Sequence, residues 1–268
     1  MSNNQKRSIG VRLGMAAVVL VIAVISWYLG TRNEVNPVTG EEQRVALSVE
    51  QEIALGLQAR PEMVKEFGGM EKDQAEQERV DRIGAKIVRQ SKASQSPYKF
   101  EFHVLEDDNV INAFALPGGQ VFITDALLDK LSSDDEVAGV LAHEISHVVA
   151  RHGARQMARE KLTDGLSQAA VIAAYDPSDP STETQAKIAQ AIAALVGMKY
   201  SRGQELESDR LGVCFMMAAG YNSEGLIEVM RILDAASKGQ RPPEFMSTHP
   251  GGDSRIEEIK AAREHCQE

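Results

Sequence analysis

The sequence predicts a mixed α+β fold, mostly helical with one small antiparallel sheet, preceded by one N-terminal transmembrane helix. Three observations predict it: an uncharged apolar run at 13–29, three short strand patterns within 99–124, and helical apolar spacing in most of the remainder. The length of 268 residues fits one large domain or two small ones, and 43% hydrophobic residues can fill a core.

The apolar run at 13–29 is predicted to anchor the chain in a membrane. It carries no charge and would rise about 26 Å as a helix, slightly less than the ~30 Å hydrocarbon core. Basic residues precede the run, so the positive-inside rule predicts a cytoplasmic segment 1–12; they are Lys6, Arg7 and Arg12. A cleaved signal peptide is the alternative, although the run ends in SWYLG rather than in small residues. We therefore expect an anchor at 13–30.

Two packing helices are predicted after a polar connection. Residues 31–47 contain Pro and Gly and indicate a linker off the membrane. Ser48 with Gln51 forms a capping-box pattern that begins a helix through about Arg60. A second helix is predicted from about Gln74 to Ser91, because its apolar residues recur at helical spacing: Val80, Ile83, Ile87 and Val88.

Three strands are predicted next, at Lys99–Leu105, Val110–Leu116 and Gln120–Thr124. Turn sequences at 107–109 and 117–119 separate them, which favours a small antiparallel meander. The rest of the chain is predicted to be almost entirely helical, with loops at 176–182 and 238–252.

The chemistry is concentrated on one predicted helix, which a second capping-box pattern at Ser133 and Glu136 begins. It carries the sequence HEISH, in which His143 and His147 lie about 40° apart around the helix. Both imidazoles can therefore reach one metal ion. Glu144 is offset by one residue and can take a proton from water beside the metal. A chance occurrence of HExxH on an ordinary helix is the alternative.

A catalytic zinc ion needs a third protein ligand and keeps one position for water. His152 follows His147 by five residues and would be turned about 140° away on the same helix, which makes it a poor candidate. His103 lies in a predicted strand and is better explained as a surface or core histidine. Glu205 and His249 remain as candidates.

Four segments together resemble the gluzincin metallopeptidases related to the CAAX prenyl proteases and the bacterial heat-shock protease HtpX. The segments are HEISH, NAFALPGG at 112–119, the SRxxExxSD pattern at 201–209 and the STHPxxxxRI pattern at 247–256. The resemblance extends from about residue 100 to 257. It implies a zincin fold of the minigluzincin type and one Zn²⁺ per chain. Where HtpX and the prenyl proteases have several membrane helices, one anchor is predicted here.

The resemblance also implies roles for individual residues. His143 and His147 would be zinc ligands, Glu205 the third ligand and Glu144 the general base. Asp209 would orient a ligating imidazole, and its four-residue step from Glu205 places it on the same helix face. A salt bridge between Asp209 and a neighbouring arginine is the alternative.

Glu207 and His249 are less clear from the sequence. Glu207 points about 200° away from Glu205 around the predicted helix, and the family pattern selects Glu205. In relatives a histidine at the position of His249 lies close to the zinc. It would stabilise the oxyanion or cap the metal as a latency switch, and a histidine that only packs is the alternative.

The predicted strand that contains Asn112, Ala113 and Phe114 would present a free edge to an extended substrate, as relatives do beside the zinc. Backbone pairing makes little demand on side chains, so specificity for unfolded segments would be broad. An ordinary sheet strand is the alternative, because edge position does not follow from sequence.

The resemblance implies a zinc-dependent endopeptidase that hydrolyses misfolded or unassembled cell-envelope proteins. We expect a singly anchored protein of the bacterial inner membrane, with a catalytic domain at 48–268 in the periplasm. A chaperone or assembly adaptor with little proteolytic activity is one alternative, and a purely structural zinc site is another. Cys214 and Cys266 would pair in that oxidising compartment, or Cys214 would be a buried thiol.

Overall fold

A computed structural model describes residues 17–18, 20–160, 199–238, 243–249 and 253–266. The predicted loop at 176–182 lies outside these residues. The predicted loop at 238–252 is described at 238 and 243–249, and there the prediction is wrong in part, because Glu244–Thr248 form a short helix.

Residues 20–29 are helical, and most of their apolar side chains are exposed. Among the described residues, none of the helices has the length and apolar character needed to cross a membrane. Residues 13–16 and Val19 of the predicted anchor fall outside that part of the chain. Trp27 Nε1 donates a 2.8 Å hydrogen bond to the Ala158 carbonyl, and the Arg44 guanidinium lies 4.2 Å above the Trp27 ring. These contacts attach the end of this helix to the body of the protein.

The segment 31–47, which is predicted to be a linker, contains regular secondary structure. This segment forms an antiparallel hairpin of strands β1 (Arg32–Val35) and β2 (Glu42–Val45). Buried Asn36 lies in the turn, where its Oδ1 accepts hydrogen bonds from two backbone N–H groups of the turn. Its Nδ2 donates a 2.8 Å hydrogen bond to the carbonyl of Val149, which ties the hairpin to the histidine-bearing helix.

The two predicted packing helices are confirmed. Helix α1 (Val49–Glu66) begins with the capping box of Ser48 and Gln51, but it continues six residues beyond Arg60 and includes Pro61. Helix α2 (Gln74–Gln90) ends one residue before the predicted Ser91. Three of its four predicted apolar positions are buried, namely Val80, Ile83 and Ile87.

A small sheet follows, with strands β3 (Glu101–Leu105), β4 (Ala113–Leu116) and β5 (Gln120–Thr124). The predicted meander order is wrong, because β5 lies between β3 and β4. The β4–β5 pair is antiparallel, as expected for a hairpin, whereas β5 pairs with β3 in parallel. The turn at 117–119 closes the hairpin, and Gly118 adopts a φ of 88° that favours glycine.

The remaining described helices surround one central helix. After α3 (Asp125–Leu128) comes the central helix α4 (Asp134–Val149), whose residues from 136 to 149 are all buried. Around or after it lie the helical segment 152–160, α5 (Arg202–Ala218), α6 (Glu224–Ser237), α7 (Glu244–Thr248) and α8 (Asp253–His265).

Close approach and a covalent link hold these helices together. A Cβ atom at Gly225 would lie 2.3 Å from the Asp135 carbonyl oxygen, so glycine allows α6 to approach the start of α4. Cys214 in α5 and Cys266 after α8 form a disulfide, which answers the question that the sequence left open. The core packs around α4, α5 and α6, and its largest fully buried side chains include Leu141 and Phe215.

Candidate metal centre

The two histidines of HEISH lie one turn apart on α4, and both are buried. Their Nε2 atoms are 3.1 Å apart and face the same point. Ser133 caps the helix as predicted, because its side chain accepts a hydrogen bond from the backbone N–H of Glu136. The reciprocal half of the capping box differs from the prediction, since the Glu136 carboxylate binds the backbone N–H of Ser132.

Helix α5 and the residue after α7 complete the centre. Glu205 Oε2 lies 3.5 Å from His143 Nε2, and Glu205 Oε1 lies 3.5 Å from His147 Nε2. His249 follows α7, and its Nδ1 is 3.3 Å from His143 Nε2 and 3.1 Å from Glu205 Oε1. The prediction that His249 lies beside the other three residues agrees with this arrangement.

The spacing of these donor atoms fits a zinc ion. Tetrahedral zinc with bonds near 2.0–2.1 Å places its ligand atoms about 3.3 Å from one another. The five separations above range from 3.1 to 3.5 Å. Imidazole nitrogen and carboxylate oxygen are also the ligand types that zinc takes in catalytic sites.

The electrostatics of the cluster favour a bound cation. Burial opposes the charge of Glu205, but His249 and His143 outweigh it and hold the pKa of Glu205 well below its usual range. Burial lowers the pKa of His147 well below the ordinary value for histidine, so its imidazole is neutral. Burial opposes the charge of His143, but Asp209 and Glu205 outweigh it and raise the pKa of His143 to about 9, so metal binding there would displace a proton. Glu205 as a carboxylate and His147 as a neutral imidazole are already in the states that bind metal.

Glu144 lies beside the cluster and is buried. Neither of its carboxylate oxygens has a hydrogen-bond partner in the part of the chain that the structure describes. His249 Nε2 is 3.5 Å from Glu144 Oε1. Burial raises the pKa of Glu144 above the ordinary value for glutamate. A buried carboxyl group without a partner costs stability, and such groups concentrate at functional sites.

Asp209 contacts both a candidate ligand imidazole and an arginine, the two kinds of partner that the sequence suggested. Its Oδ1 lies 3.0 Å from His143 Nδ1, on the side of the imidazole opposite the centre. Its two oxygens also accept hydrogen bonds from Arg255, whose Nη1 is 3.0 Å from Glu205 Oε2. Sequence reasoning missed this role of Arg255, although the arginine is part of the same STHPxxxxRI pattern as His249.

His152 does not lie on the same helix as His147, turned about 140° away from it, as the sequence predicted. Helix α4 ends at Val149, and Arg151 adopts a φ of 57°, which reverses the chain before His152. His152 Nδ1 therefore lies 2.9 Å from His147 Nδ1, behind the metal cluster and not in it. The expectation that it is not a ligand agrees with this position, but the predicted reason for it was wrong.

The candidate substrate strand lies at one edge of the small sheet, since β4 follows β5 in the strand order. Ala113 and Phe114 pair with Ile123 and Phe122 of β5 on the inner side. Asn112 precedes β4, and its backbone N–H donates to the hydroxyl of Thr124, a further residue of β5.

The other histidine considered as a ligand is a core residue. His103 is buried in β3, where its Nε2 lies 2.9 Å from Gln120 Oε1. Its ring also packs on Phe122, with ring centroids 4.7 Å apart.

Comparison with known proteins agrees with this geometry. Peptidase family M48 matches residues 74–263. The chain is 29% identical over 230 residues to the beta-barrel assembly-enhancing protease of Yersinia pestis, covering 84% of this chain and 46% of that protein. It is 33% identical over 184 residues to the mitochondrial metalloendopeptidase OMA1 of Schizosaccharomyces pombe, covering 68% of this chain and 51% of the relative.

The human mitochondrial metalloendopeptidase OMA1 is 28% identical over 260 residues, covering 91% of this chain and 48% of the human protein. The chain thus spans about half the length of these curated relatives. The family match covers well over half of the chain and includes HEISH, Glu205 and His249. The chain therefore belongs to peptidase family M48.

Proposed function

We propose that this chain is a zinc-dependent endopeptidase that hydrolyses misfolded or unassembled cell-envelope proteins. The observation that carries this proposal is the convergence of four buried donor atoms at zinc spacing beside an unpartnered buried carboxyl group, Glu144. Peptidase is the activity of the family, and beta-barrel assembly-enhancing protease is the name of a relative. That name supports envelope proteins as the substrate class.

In this proposal His143, His147 and Glu205 hold the zinc ion. When bound, zinc supplies Lewis acidity that polarises the scissile carbonyl group and acidifies water. The Glu144 carboxylate takes the proton from the attacking water and then delivers it to the leaving amine. Asp209 would accept a hydrogen bond from Nδ1–H of His143, which leaves Nε2 of that imidazole free for the metal.

We propose that His249 caps the metal and keeps the enzyme latent. Its Nδ1 lies at ligand spacing from both His143 and Glu205, so it takes the place of a fourth ligand. A catalytic zinc site keeps that fourth position for water. Activity would then require His249 and the short helix α7 before it to move away. This geometry favours the latency switch over oxyanion stabilisation.

We propose further that an extended segment of substrate pairs with β4 along Asn112, Ala113 and Phe114. The position of β4 at an edge of the sheet supports this proposal. Backbone pairing would then supply affinity without a strict sequence requirement.

The proposed location is the bacterial inner membrane, with residues 1–12 in the cytoplasm, an anchor at 13–30 and a catalytic domain at 48–268 in the periplasm. The exposed apolar side chains of residues 20–29 support the anchor. The Cys214–Cys266 disulfide supports an oxidising compartment.

A chaperone or assembly adaptor is the second candidate, and the position of His249 is the observation that favours it. A centre whose fourth position is filled by a side chain would cut rarely, while β4 would still hold unfolded clients. The two candidates differ in whether Glu144 is needed.

The test is degradation of unfolded casein by the full chain, purified in detergent with zinc. Wild type, Glu144→Gln, His249→Ala and the His249→Ala/Glu144→Gln pair are compared, with exposed Glu257→Gln as a matched acid control. We expect rapid cleavage by His249→Ala, slower basal cleavage by wild type and Glu257→Gln, and none by either variant that carries Glu144→Gln. Equal cleavage with and without Glu144 would contradict the mechanism. Suppression of casein aggregation without cleavage, even by His249→Ala, would favour the chaperone.

A further inference from the structure

His147 has a buried partner on the side facing away from the metal cluster. His152 Nδ1 lies 2.9 Å from His147 Nδ1, and His152 Nε2 lies 3.1 Å from Glu207 Oε2. His152 is 0% exposed. The Arg155 guanidinium lies 2.9 Å from the same carboxylate oxygen. These residues form a continuous chain from the surface to a candidate zinc ligand, and the proposed mechanism does not use it.

The donors and acceptors that each side chain offers determine which group donates in each hydrogen bond of this chain. A histidine that binds metal through Nε2 carries its proton on Nδ1, so His147 must donate there. His152 Nδ1 is then the acceptor, and the proton of His152 lies on Nε2. Glu207, as a carboxylate, can only accept. Ser208 Oγ is 3.3 Å from His152 Nδ1 and can donate to the same lone pair without changing this direction.

The backbone is built to bring His152 into this position. Arg151, immediately before it, has a left-handed φ of 57°, which is uncommon for a residue with a side chain. Its guanidinium offsets that cost, because Nε donates a 2.7 Å hydrogen bond to Glu52 and Nη2 donates to the Leu47 carbonyl. Without the reversal, His152 would continue on α4 and point away from His147.

Helix α5 carries a carboxylate that supports each of the two candidate histidine ligands. Asp209 contacts His143 directly, whereas Glu207 reaches His147 through the interposed His152. Glu205 of the same helix supplies the carboxylate of the cluster itself.

We propose that His152 and Glu207 are positioning residues that hold His147 in the tautomer and orientation needed to bind zinc. The inference rests on the proposed zinc site. In this proposal His152 and Glu207 support His147 as Asp209 supports His143. Loss of such a partner lowers metal affinity by about 10–100-fold.

The test compares two substitutions that differ in hydrogen bonding at one position. His152→Leu fills the space but accepts no hydrogen bond, whereas the side-chain oxygen of His152→Asn can replace Nδ1 as acceptor. His103→Leu is the control, because His103 is a buried histidine in β3 that lies outside the metal cluster. Zinc affinity of each full-length protein is measured by competition with a chromophoric chelator, and the absorption spectrum of bound Co²⁺ reports the ligand geometry.

We expect His152→Leu to lose about 10–100-fold in zinc affinity and to alter the Co²⁺ spectrum. His152→Asn should lose less, and His103→Leu should bind zinc as wild type does. Wild-type affinity and spectrum in His152→Leu would overturn the inference, as would equal losses in the Leu and Asn variants. If His152→Leu does not fold, Glu207→Leu, which removes the acceptor for His152 Nε2–H, decides: reduced zinc affinity supports the inference, and unchanged zinc affinity overturns it. If wild type binds no zinc, the proposed function fails first and the inference falls with it.

Discussion

The Arg255 guanidinium donates two hydrogen bonds of 2.7 Å, from Nε and Nη2, to the two carboxylate oxygens of Asp209. Both side chains are buried, at 2% and 0% exposure. Burial opposes the charge of Asp209, but Arg255 outweighs it and holds the pKa of that carboxyl below its usual range. Asp209 Oδ1 also lies 3.0 Å from His143 Nδ1, so the arginine on α8 contacts the same carboxylate as a candidate ligand on α4.

Removal of Arg255 should therefore be costly. Arg255→Leu leaves the buried carboxylate of Asp209 without its main partner, and we expect a loss of about 3–5 kcal/mol in the free energy of unfolding. Arg263→Leu is the control, because Arg263 pairs with Glu224 at the surface and should contribute about 1 kcal/mol or less. Urea denaturation followed by circular dichroism measures both. Similar losses in the two variants would contradict a structural role for the buried pair.

His249→Ala should change two measurements in opposite directions. Loss of a fourth donor atom should weaken zinc binding, while opening that position to water should increase basal cleavage of unfolded casein. His265→Ala, an exposed histidine at the end of α8, is the control. The latency role would be abandoned if His249→Ala left zinc affinity, basal activity and substrate turnover all unchanged.

Reduction of the disulfide should destabilise the domain. Cys214 and Cys266 are 52 residues apart in the chain, and closing a loop of that size contributes about 2–4 kcal/mol through the unfolded state. We expect urea denaturation to show this loss on addition of a reductant. The Cys214→Ala/Cys266→Ala protein should start at the lower stability and show no response to reductant. A response in that variant would point to an effect of the reductant elsewhere, such as on bound metal.

The acidic cluster at the start of α3 should make stability depend on pH. Burial, with repulsion from Glu76 and Asp129, raises the pKa of Asp125 to about 7, from 3.8 ordinarily. The folded state therefore binds more protons than the unfolded state between about pH 4 and 7, so this group's contribution to stability falls as pH rises through that window. Asp125→Asn should match wild type near pH 4 and have the higher Tm at pH 8.

A neighbouring aspartate provides a control of opposite sign. A hydrogen bond from Arg79 lowers the pKa of Asp134, so its contribution is present above the unfolded pKa and is lost in acid. Asp134→Asn should therefore lower Tm at pH 8 and have less effect near pH 3. Thermal unfolding followed across this pH range tests both variants. If the change in Tm depended on pH in the same way for both variants, the opposite pKa shifts of Asp125 and Asp134 would be contradicted.

The elements that depend on residues close in sequence were predicted well. His143 and His147 share a helix face because they are four residues apart, and this holds in any fold that keeps the helix. The capping box of Ser48 and Gln51 is equally local. Asp209 was placed correctly on the face of Glu205 by the same four-residue step.

Features that depend on distant parts of the chain were missed or misjudged. The hairpin at 31–47 has short polar strands, and it is held by the contact of Asn36 with Val149, 113 residues away. The position of β5 between β3 and β4 depends on which strands pair, and three short strands allow several orders. His152 was misplaced because one residue with positive φ ends the helical projection.

Helical spacing in the sequence placed His143 and His147 on one helix face with Glu144 beside them. The resemblance to known metallopeptidases, carried by sequence motifs, then selected Glu205 as the candidate third ligand. Only the tertiary structure showed the groups behind those ligands: Arg255 behind Asp209, and His152 with Glu207 behind His147. The physical reason is that helical periodicity relates residues within a few turns, whereas contacts between separate helices depend on how their side chains pack and on where the chain reverses.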